Sequence, residues 1–412
     1  MKYNVSPLGE AIELVIDHRG LTPKKLGGDW SNYGYRALSA KNIKTGKIVQ
    51  KETIRYINPQ MYKRWMPEEV ERNDIFVTSE APFGEIYLWD SDEKIVLSQR
   101  IFGLRVKKSF DPVYMFYYMC TNAFQGELSA RASGTTVTGL RQPELLKCLI
   151  RYPDLSTQKK IGDILRNIDK KIQTNNEIND NLSKQIQAAI AHFLPYSPDE
   201  QKLGWEKVNL SNIASFISGY SYKGSELVDN PESAMATIKN FERNGGFKID
   251  GFKEIEPSSK LKPQQVAELF DTLVAHTDLT QNAEVIGNAE VLLTKSKYKN
   301  IVFSMDLVKV LPKLGFSKFL LGGLLQDKRF KEHCLGYVNG TTVLHLSKDA
   351  LPAYELLLPV NRDNLVPLAE LLKSLYLKLA ENIDENIRLE ELRDSLLPKL
   401  MSGEIDVDLL DL

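Results

Sequence analysis

The stretch SGTTVTGL (133–140) is followed 206 positions later by NGTTVLHL (339–346), in a chain of 412 residues. Self-similarity at a fixed offset indicates an internal repeat. The similarity extends beyond the shared Gly-Thr-Thr-Val core, because other residues recur at the same offset. These pairs are Ser98 and Ser304, Leu140 and Leu346, Leu145 and Leu351, and Pro153 and Pro359. The chain therefore consists of two copies of one unit, which meet near residues 196–204.

The composition is that of a large globular protein, with 42% hydrophobic and 26% charged residues. This length exceeds one ordinary core, so we expect several domains. Cys120, Cys148 and Cys334 lie far apart, which excludes a disulfide framework or a zinc ribbon. Since we find neither a signal peptide nor a membrane span, we expect a cytoplasmic protein. The formal net charge of −1 does not by itself indicate a nucleic-acid partner.

Each repeat opens with short runs rich in Val, Ile and Phe, which are typical of strands, and closes with a long segment of helical periodicity. We therefore predict an α+β fold. Two similar globular domains are separated by two long helices that form an antiparallel coiled coil, with pseudo-twofold symmetry. The predicted boundaries are 1–153 for the first globular domain, 154–195 for the first helix, 196–359 for the second globular domain, and 360–412 for the second helix and C-terminal tail.

Both closing segments carry a coiled-coil seam, in which steps of four and three residues alternate. Two Asn residues interrupt each seam at the same places. The first seam is Ile161, Leu165, Ile168, Ile172, Asn175, Asn179, Leu182, Ile186, Ala189 and Phe193. The second is Leu368, Leu372, Leu375, Leu379, Asn382, Asn386, Leu389, Arg393, Leu396 and Leu400.

Because the ends of a domain often lie close together, the second helix should run antiparallel to the first. The seams then pair Asn175 with Asn386 and Asn179 with Asn382, and only Arg393 meets an apolar partner, Ile168. The Asn residues could merely tolerate exposure. Their presence in both repeats favours a polar layer, in which the four amides satisfy one another and fix the coiled-coil register.

No catalytic constellation is recognisable. The sequence has no phosphate-binding Gly-x-x-x-x-Gly-Lys-Ser/Thr loop, no His-Glu-x-x-His and no Gly-x-Ser-x-Gly. His333 and Cys334 are adjacent but lack further ligands, so a buried pair is favoured over a metal site. We predict no catalytic residue and no metal.

Basic residues cluster in the first repeat. Residues 18–64 hold eleven Lys or Arg against two acids, interleaved with aromatic residues. This pattern favours phosphate neutralisation, although a solvated basic face would look alike. The candidate DNA-binding residues of this repeat are Arg19, Lys24, Lys25, Lys41, Asn42, Lys44 and Lys47, with Thr135 and Thr136 of the Gly-Thr-Thr-Val core. Those of the second repeat are Tyr220, Tyr222, Lys223, Lys239, Asn240, Thr341 and Thr342.

Two diverged halves, each closed by a Gly-Thr-Thr-Val segment and a helix, resemble the specificity (S) subunit of Type I restriction–modification systems. The ending LRDSLLPKLMSGEIDV (392–407) and the phrases DLTQNAEVIG (278–287) and SQRIFGL (98–104) are also similar to that family. The resemblance covers the whole chain and rests on the order and duplication of its motifs.

The resemblance implies that each globular domain is a target-recognition domain for one half of a bipartite double-stranded DNA sequence. The helices would set the half-site spacing and dock two methyltransferase (M) subunits, and restriction (R) subunits would join them. The chain itself would need no cofactor, because S-adenosylmethionine and ATP would belong to the partners. The alternatives are a DNA methyltransferase with unrecognised catalytic motifs and a coiled-coil scaffold that binds only protein.

Overall fold

The computed structural model describes residues 3–134, 138–194, 203–280 and 282–409. It forms two compact units. Unit 1 comprises Met1–Lys171 with Leu389–Leu412, and unit 2 comprises Ile172–Arg388. Each unit therefore contains one globular domain together with one segment of each long helix.

The strands of unit 1 are short and bounded by turns. They are β1 (Asn4–Pro7), β2 (Ile12–Ile16), β3 (Tyr35–Leu38), β4 (Ile43–Lys44), β5 (Lys47–Ile48), β6 (Arg55–Ile57), β7 (Ile75–Ser79), β8 (Phe83–Leu88), β9 (Val96–Leu97), β10 (Ile101–Val106) and β11 (Leu149–Tyr152). The main sheet has the order β2–β10–β7–β8. Every residue of β7 is buried, as expected for an apolar strand covered on both faces.

Three short helices of unit 1 begin at side chains that accept hydrogen bonds from the first helical turn. Asn58, Asp111 and Thr121 each accept from the backbone N–H three residues ahead. The helices are α1 (Pro59–Trp65), α2 (Pro112–Cys120), α3 (Asn122–Arg131), α4 (Gln142–Leu146) and the long α5 (Leu155–Phe193).

Unit 2 is built from the same kinds of element. Its strands are β12 (Trp205–Asn209), β13 (Ala214–Ser218), β14 (Ser233–Ala236), β15 (Lys253–Glu254), β16 (Val266–Ala267), β17 (Thr272–Ala275), β18 (Thr277–Asp278), β19 (Ala289–Val291), β20 (Asn300–Phe303), β21 (Leu307–Pro312), β22 (Val338–Asn339), β23 (Leu344–Leu346) and β24 (Glu355–Pro359). Its helices are α6 (Leu210–Ile213), α7 (Lys318–Leu325), α8 (Lys328–Leu335), α9 (Ala350–Ala353) and α10 (Val366–Ser402).

The two units repeat one topology. The sheet order β2–β10–β7–β8 of unit 1 recurs in unit 2 as β13–β21–β17–β19. A second sheet in each contains a parallel pair, β3 with β9 and β14 with β20. The first strand of each half pairs with the last strand before the long helix, β1 with β11 and β12 with β24. The α+β class and the internal repeat predicted from the sequence are confirmed.

The long helices have identifiable ends. The Asp154 carboxylate accepts hydrogen bonds from the Thr157 N–H at 3.1 Å and hydroxyl at 2.8 Å, and α5 begins directly afterwards. After α10, Gly403 has φ of +78°, a conformation that commonly ends helices. Seam residues are buried in each unit. Ile161 and Leu165 belong to a core of unit 1, and Leu372 belongs to a core of unit 2.

The seam pattern predicts that Arg393 faces the apolar Ile168. In the structure, the charge of Arg393 is instead compensated by an acidic side chain. Its Nη1 donates to Asp169 Oδ1 at 2.8 Å, and the same carboxylate accepts a hydrogen bond from the Tyr117 hydroxyl. Burial opposes the charge of Arg393, yet the hydrogen bonds and charges of Asp169 and Asp394 raise its pKa. This position therefore ties α10 to α5 and α2 within unit 1 through an ionic contact.

Candidate nucleic-acid interface

The β4–β5 hairpin presents two lysines side by side. Its antiparallel register places Lys44 opposite Lys47. Gly46 in the connecting turn has φ of +75°, which glycine adopts without strain. The N–H and hydroxyl of Thr45 both donate to Glu85 Oε2 at 2.6 Å, and this ties the turn to β8. Like charges directly opposite in a strand pair repel, and a bound phosphate would relieve that repulsion.

Further predicted lysines are exposed. Lys24 and Lys41 lie on unit 1, and Lys223 and Lys239 lie on unit 2. Within the described ranges, none of these four forms an ion pair, nor does Lys44 or Lys47. The ammonium group of Lys25, in contrast, donates to the Gly20 carbonyl at 2.7 Å. The unpaired ammonium groups remain available to an anionic partner.

Several arginines of the basic cluster are paired within unit 1. Arg36 Nε donates to Glu93 Oε1 at 2.7 Å. Glu93 lies well outside the cluster in the sequence. Arg19 forms a two-pronged contact with Asp17 at 2.8 and 2.9 Å and donates to the Leu140 carbonyl at 3.0 Å. Arg19 therefore holds the segment after the first Gly-Thr-Thr-Val core, and its contact with DNA stays a prediction.

Asn42 and Asn240 have the same structural role in the two halves. Both are almost fully buried. Asn42 accepts from the Ser39 N–H at 3.1 Å and donates to the Gln50 carbonyl at 3.2 Å. Asn240 accepts from the Thr237 N–H and donates to the Lys248 carbonyl, at 2.8 and 2.7 Å. Their amides shape the segments that carry the lysines, and the predicted DNA contacts of both residues stay predictions.

The tyrosines of the SGYSYKG loop (218–224) are also engaged internally. Tyr220 is 4% exposed, and its hydroxyl contacts Glu226 at 2.8 Å and Ser258 at 2.9 Å. The Tyr222 hydroxyl accepts a hydrogen bond from Lys253 Nζ at 2.9 Å. Tyr220 packs the loop against the domain, and its contact with DNA stays a prediction. Lys223 at the loop surface is exposed.

The second Gly-Thr-Thr-Val core is the turn between β22 and β23. Gly340 has φ of +115°, and a Cβ at this position would lie 2.3 Å from the Val343 carbonyl oxygen, so glycine is required. Thr341 and Thr342 are exposed in this turn. The ends of the first core pair through Ser133 and Gly139. Thr135 and Thr136, predicted DNA-binding residues, lie outside the described residues.

The four seam asparagines, which we call the Asn layer, meet within unit 2. Asn175 Nδ2 donates to Asn386 Oδ1 at 2.9 Å, and Asn382 Nδ2 donates to Asn179 Oδ1 at 2.8 Å. These are the two pairs that the sequence predicts, and they make the helices antiparallel here. Asn175 and Asn382 are each 1% exposed.

The Asn layer is completed by two residues that the sequence analysis missed. Asn175 Nδ2 also donates to Glu385 Oε2 at 2.7 Å, and Asn386 Nδ2 donates to Asn176 Oδ1 at 2.9 Å. The expectation that four amides satisfy one another is therefore corrected. Asn176 follows the seam residue Asn175, and Glu385 precedes the seam residue Asn386. Side chains next to the seam can reach over the edge of a coiled-coil core.

Across the described residues, the hydropathy of the helices falls short of what crossing a bilayer requires. The fold and this surface define a protein with two related domains, each presenting exposed lysines on short strands, turns or short helices beside its sheets. Residues 1–184 match the family described as the Type I restriction modification DNA specificity domain.

Relatives extend the match along the chain. The Type I restriction enzyme MjaIX specificity subunit of Methanocaldococcus jannaschii is 24% identical over 407 residues, which is 94% of this chain and 87% of the relative. The MjaVIII specificity subunit of the same organism is 31% identical over 159 residues, 37% of each chain. The crystal structure of a Type I S subunit from M. genitalium superposes with a TM-score of 0.59 at 16% identity, covering 97% of this chain and 96% of that one. The chain is therefore similar along most of its length to specificity subunits of Type I restriction–modification systems, and residues 1–184 match their DNA specificity domain.

Proposed function

We propose that this chain is the DNA sequence-specificity subunit of a Type I restriction–modification complex. The observation that carries the proposal is the duplicated domain, because the same sheet topology occurs in both units with different surface residues. Two diverged copies of one recognition domain suit a bipartite DNA target in which each half has its own sequence. The exposed lysines of each unit would hold the phosphate backbone and position the loops over the bases.

We infer that the two long helices set the separation of the half-sites and dock two methyltransferase subunits. Restriction subunits would join that assembly. The Asn layer supports the first role, since buried amide pairs disfavour any other register of the helices. Exposed apolar side chains on α10, among them Leu371 at 47% and Leu377 at 45%, support the second role as partner-binding surface.

We further propose that the chain performs no chemistry itself and that S-adenosylmethionine and ATP are bound by its partners. Its thiols are poor nucleophiles, because burial raises the pKa of Cys120 and of Cys334 to about 12 and that of Cys148 to about 11. A methyltransferase with unrecognised motifs and a protein-only scaffold are the alternatives, and no contact described above favours either.

The test is to express the chain with its methyltransferase partner in a host that lacks other DNA methylation and to map the methylated sites. We expect methylation at one bipartite sequence, only when both proteins are present. Methyl transfer by the purified chain alone would favour the methyltransferase alternative. Methylation that is unchanged when the chain is omitted would contradict a specificity role.

A further inference from the structure

Unit 1 contains a cavity of about 260 Å³ beside the sheet β6–β3–β9. Two tryptophans line it, Trp30 and Trp65, with ring centroids 5.9 Å apart. The guanidinium of Arg55 lies over the Trp30 ring, 4.8 Å from its centroid. Three further exposed residues, Lys41, Gln99 and Arg100, also line the cavity. The cavity therefore combines an aromatic wall with cationic and amide groups.

The corresponding place in unit 2 is filled by side chains. In the parallel pairs, Ala37 is opposite Val96 in unit 1, and Met235 is opposite Val302 in unit 2. Val96 and Val302 both precede the matched serines, Ser98 and Ser304, by two residues. Ala37, which lines the cavity, therefore stands where unit 2 has a buried methionine. Tyr220 packs against Met235 in the same cluster. The cavity is a feature by which the two halves differ.

Polar groups at the cavity lack partners within the protein. Trp65 is 1% exposed, yet its indole N–H has no hydrogen-bond acceptor among the residues that the structure describes. A buried donor without an acceptor is costly and rare in folded proteins. The side chains of Gln99 and Lys41 likewise have no hydrogen-bond partner in the described ranges, whereas Arg100 is paired with Glu80 at 2.8 Å. A ligand with hydrogen-bond acceptors could pair with the exposed side chains of Gln99 and Lys41 without displacing a partner within the described residues.

We propose that this cavity receives one nucleobase of the bound DNA, turned out of the base stack. The inference rests on the proposed function and deepens it by naming a base-binding site in the first recognition domain. Bases that leave the stack are held by aromatic faces, by guanidinium planes and by hydrogen bonds to their edges. Trp30, Arg55 and Gln99 provide these three kinds of contact.

The geometry also restricts how the base is held. A base sandwiched between two rings needs about 7 Å between them, twice the ~3.4 Å rise of stacked bases. The centroids of Trp30 and Trp65 are closer than that and tilted by 51°. The base therefore stacks on one side of the pair, against Trp30 or the Arg55 guanidinium, with its edge towards Gln99. Trp65 forms part of the wall.

The experiment uses the full chain assembled with its methyltransferase partners and duplexes of the mapped target. Each position of the half-site read by unit 1 is mispaired in turn, by changing only the base opposite. A base held outside the duplex binds more tightly when its pairing is already broken, so we expect about tenfold tighter binding for a mismatch at one position. Filling the cavity with Ala37→Met should abolish that gain. The fold should tolerate this change, because unit 2 has methionine at the equivalent place.

Ala123→Met, which adds the same side chain on an exposed face of α3, is the matched control and should keep the gain. If Ala37→Met fails to fold, the surface variant Gln99→Ala should reduce the gain instead. Specific binding with no gain at any position overturns the cavity proposal. A gain that Ala37→Met leaves intact also overturns it, because the base is then turned out by the methyltransferase. If the unaltered complex shows no sequence-specific DNA binding, that result contradicts the proposed function itself.

Discussion

Asn175 shows how one buried amide restricts a helix pair. Its two amide protons are donated to Asn386 and to the carboxylate of Glu385. Both acceptors come from α10, and the second is charged, which strengthens the hydrogen bond. Shifting one helix by a heptad would place Leu379 or Arg393, neither of which offers a hydrogen-bond acceptor, opposite this amide. The amide therefore stabilises one register chiefly by making the others unfavourable.

A double-mutant cycle tests this coupling. Asn386→Leu leaves an amide proton of Asn175 without an acceptor, so we expect the free energy of unfolding to fall by about 1–3 kcal/mol. The double variant Asn175→Leu/Asn386→Leu should lose much less than the sum of the single variants, because no buried donor remains. Urea denaturation followed by circular dichroism measures both values. Gln187→Ala, at an exposed position of α5 away from the Asn layer, is the control, and strict additivity would show that the pair is not coupled.

Glu290 makes the stability of unit 2 depend on pH. It is 6% exposed, and burial raises its pKa to about 7, although the Gly246 N–H donates to it at 2.6 Å and Gln326 at 3.2 Å. The folded state therefore binds this proton more tightly than the unfolded state, whose pKa is about 4.5. The resulting stabilisation is complete below pH ~4.5 and is lost as the pH rises through about 7.

We expect Glu290→Gln to remove this pH dependence. The unaltered chain should lose roughly 2–3 kcal/mol of unfolding free energy between pH 4.5 and 8 from this group. The variant should lose correspondingly less free energy of unfolding, because glutamine does not titrate in this pH range. Its fold should be kept, since the amide of Gln326 can turn to pair with the amide introduced at position 290. Urea denaturation at both pH values measures the difference. Equal pH dependence in the two proteins would show that Glu290 titrates normally.

At the scale of the elements, the β4–β5 hairpin is where we expect phosphate contact in unit 1. Lys44→Glu/Lys47→Glu should weaken DNA binding by the assembled complex. Each lost phosphate contact should also flatten the slope of log K against log salt by about 0.9. Fluorescence anisotropy at several salt concentrations measures both quantities. Lys108→Glu, an exposed lysine of the same unit, is the control. An unchanged slope for the hairpin variant would place the DNA elsewhere.

The helices α5 and α10 can be tested as a spacer. A heptad inserted before Ile172 in α5 and another after Arg388 in α10 keep the Asn layer paired and lengthen each helix by about 10 Å. At ~3.4 Å for each base pair, the preferred gap between half-sites should grow by roughly three base pairs. Methylation mapping measures the gap. Insertion in α5 alone is the control, because it mismatches the seams, and an unchanged gap after both insertions would rule out the spacer role.

The helices and the repeat could be predicted from the sequence because their signals are periodic. One signal is the spacing of four and three residues around Asn175 and Asn386, and the other is the offset between the two Gly-Thr-Thr-Val cores. Both remain recognisable although the loops of the two halves differ in length. The surface could be predicted only in part. Arg36 is paired with Glu93, and the Tyr220 hydroxyl contacts Ser258, through contacts between residues far apart in the sequence that no local pattern links. The Ala37 cavity was missed for the same reason, since it depends on strand pairing.

At the scale of the whole molecule, the repeated topology predicts that the halves recognise DNA independently. Residues 205–359 begin at β12 and end at β24, and these two strands pair with each other. The segment therefore closes on itself and contains one core cluster that lies wholly within it, so we expect it to be replaceable as a unit. Exchanging it for the matching segment of a relative should change one half of the methylated sequence and leave the other half and the gap unchanged. Methylation mapping of the exchanged complex measures all three. The reciprocal exchange of residues 1–153 should alter the opposite half, and a change in both halves from either exchange would show that the two domains read their target jointly.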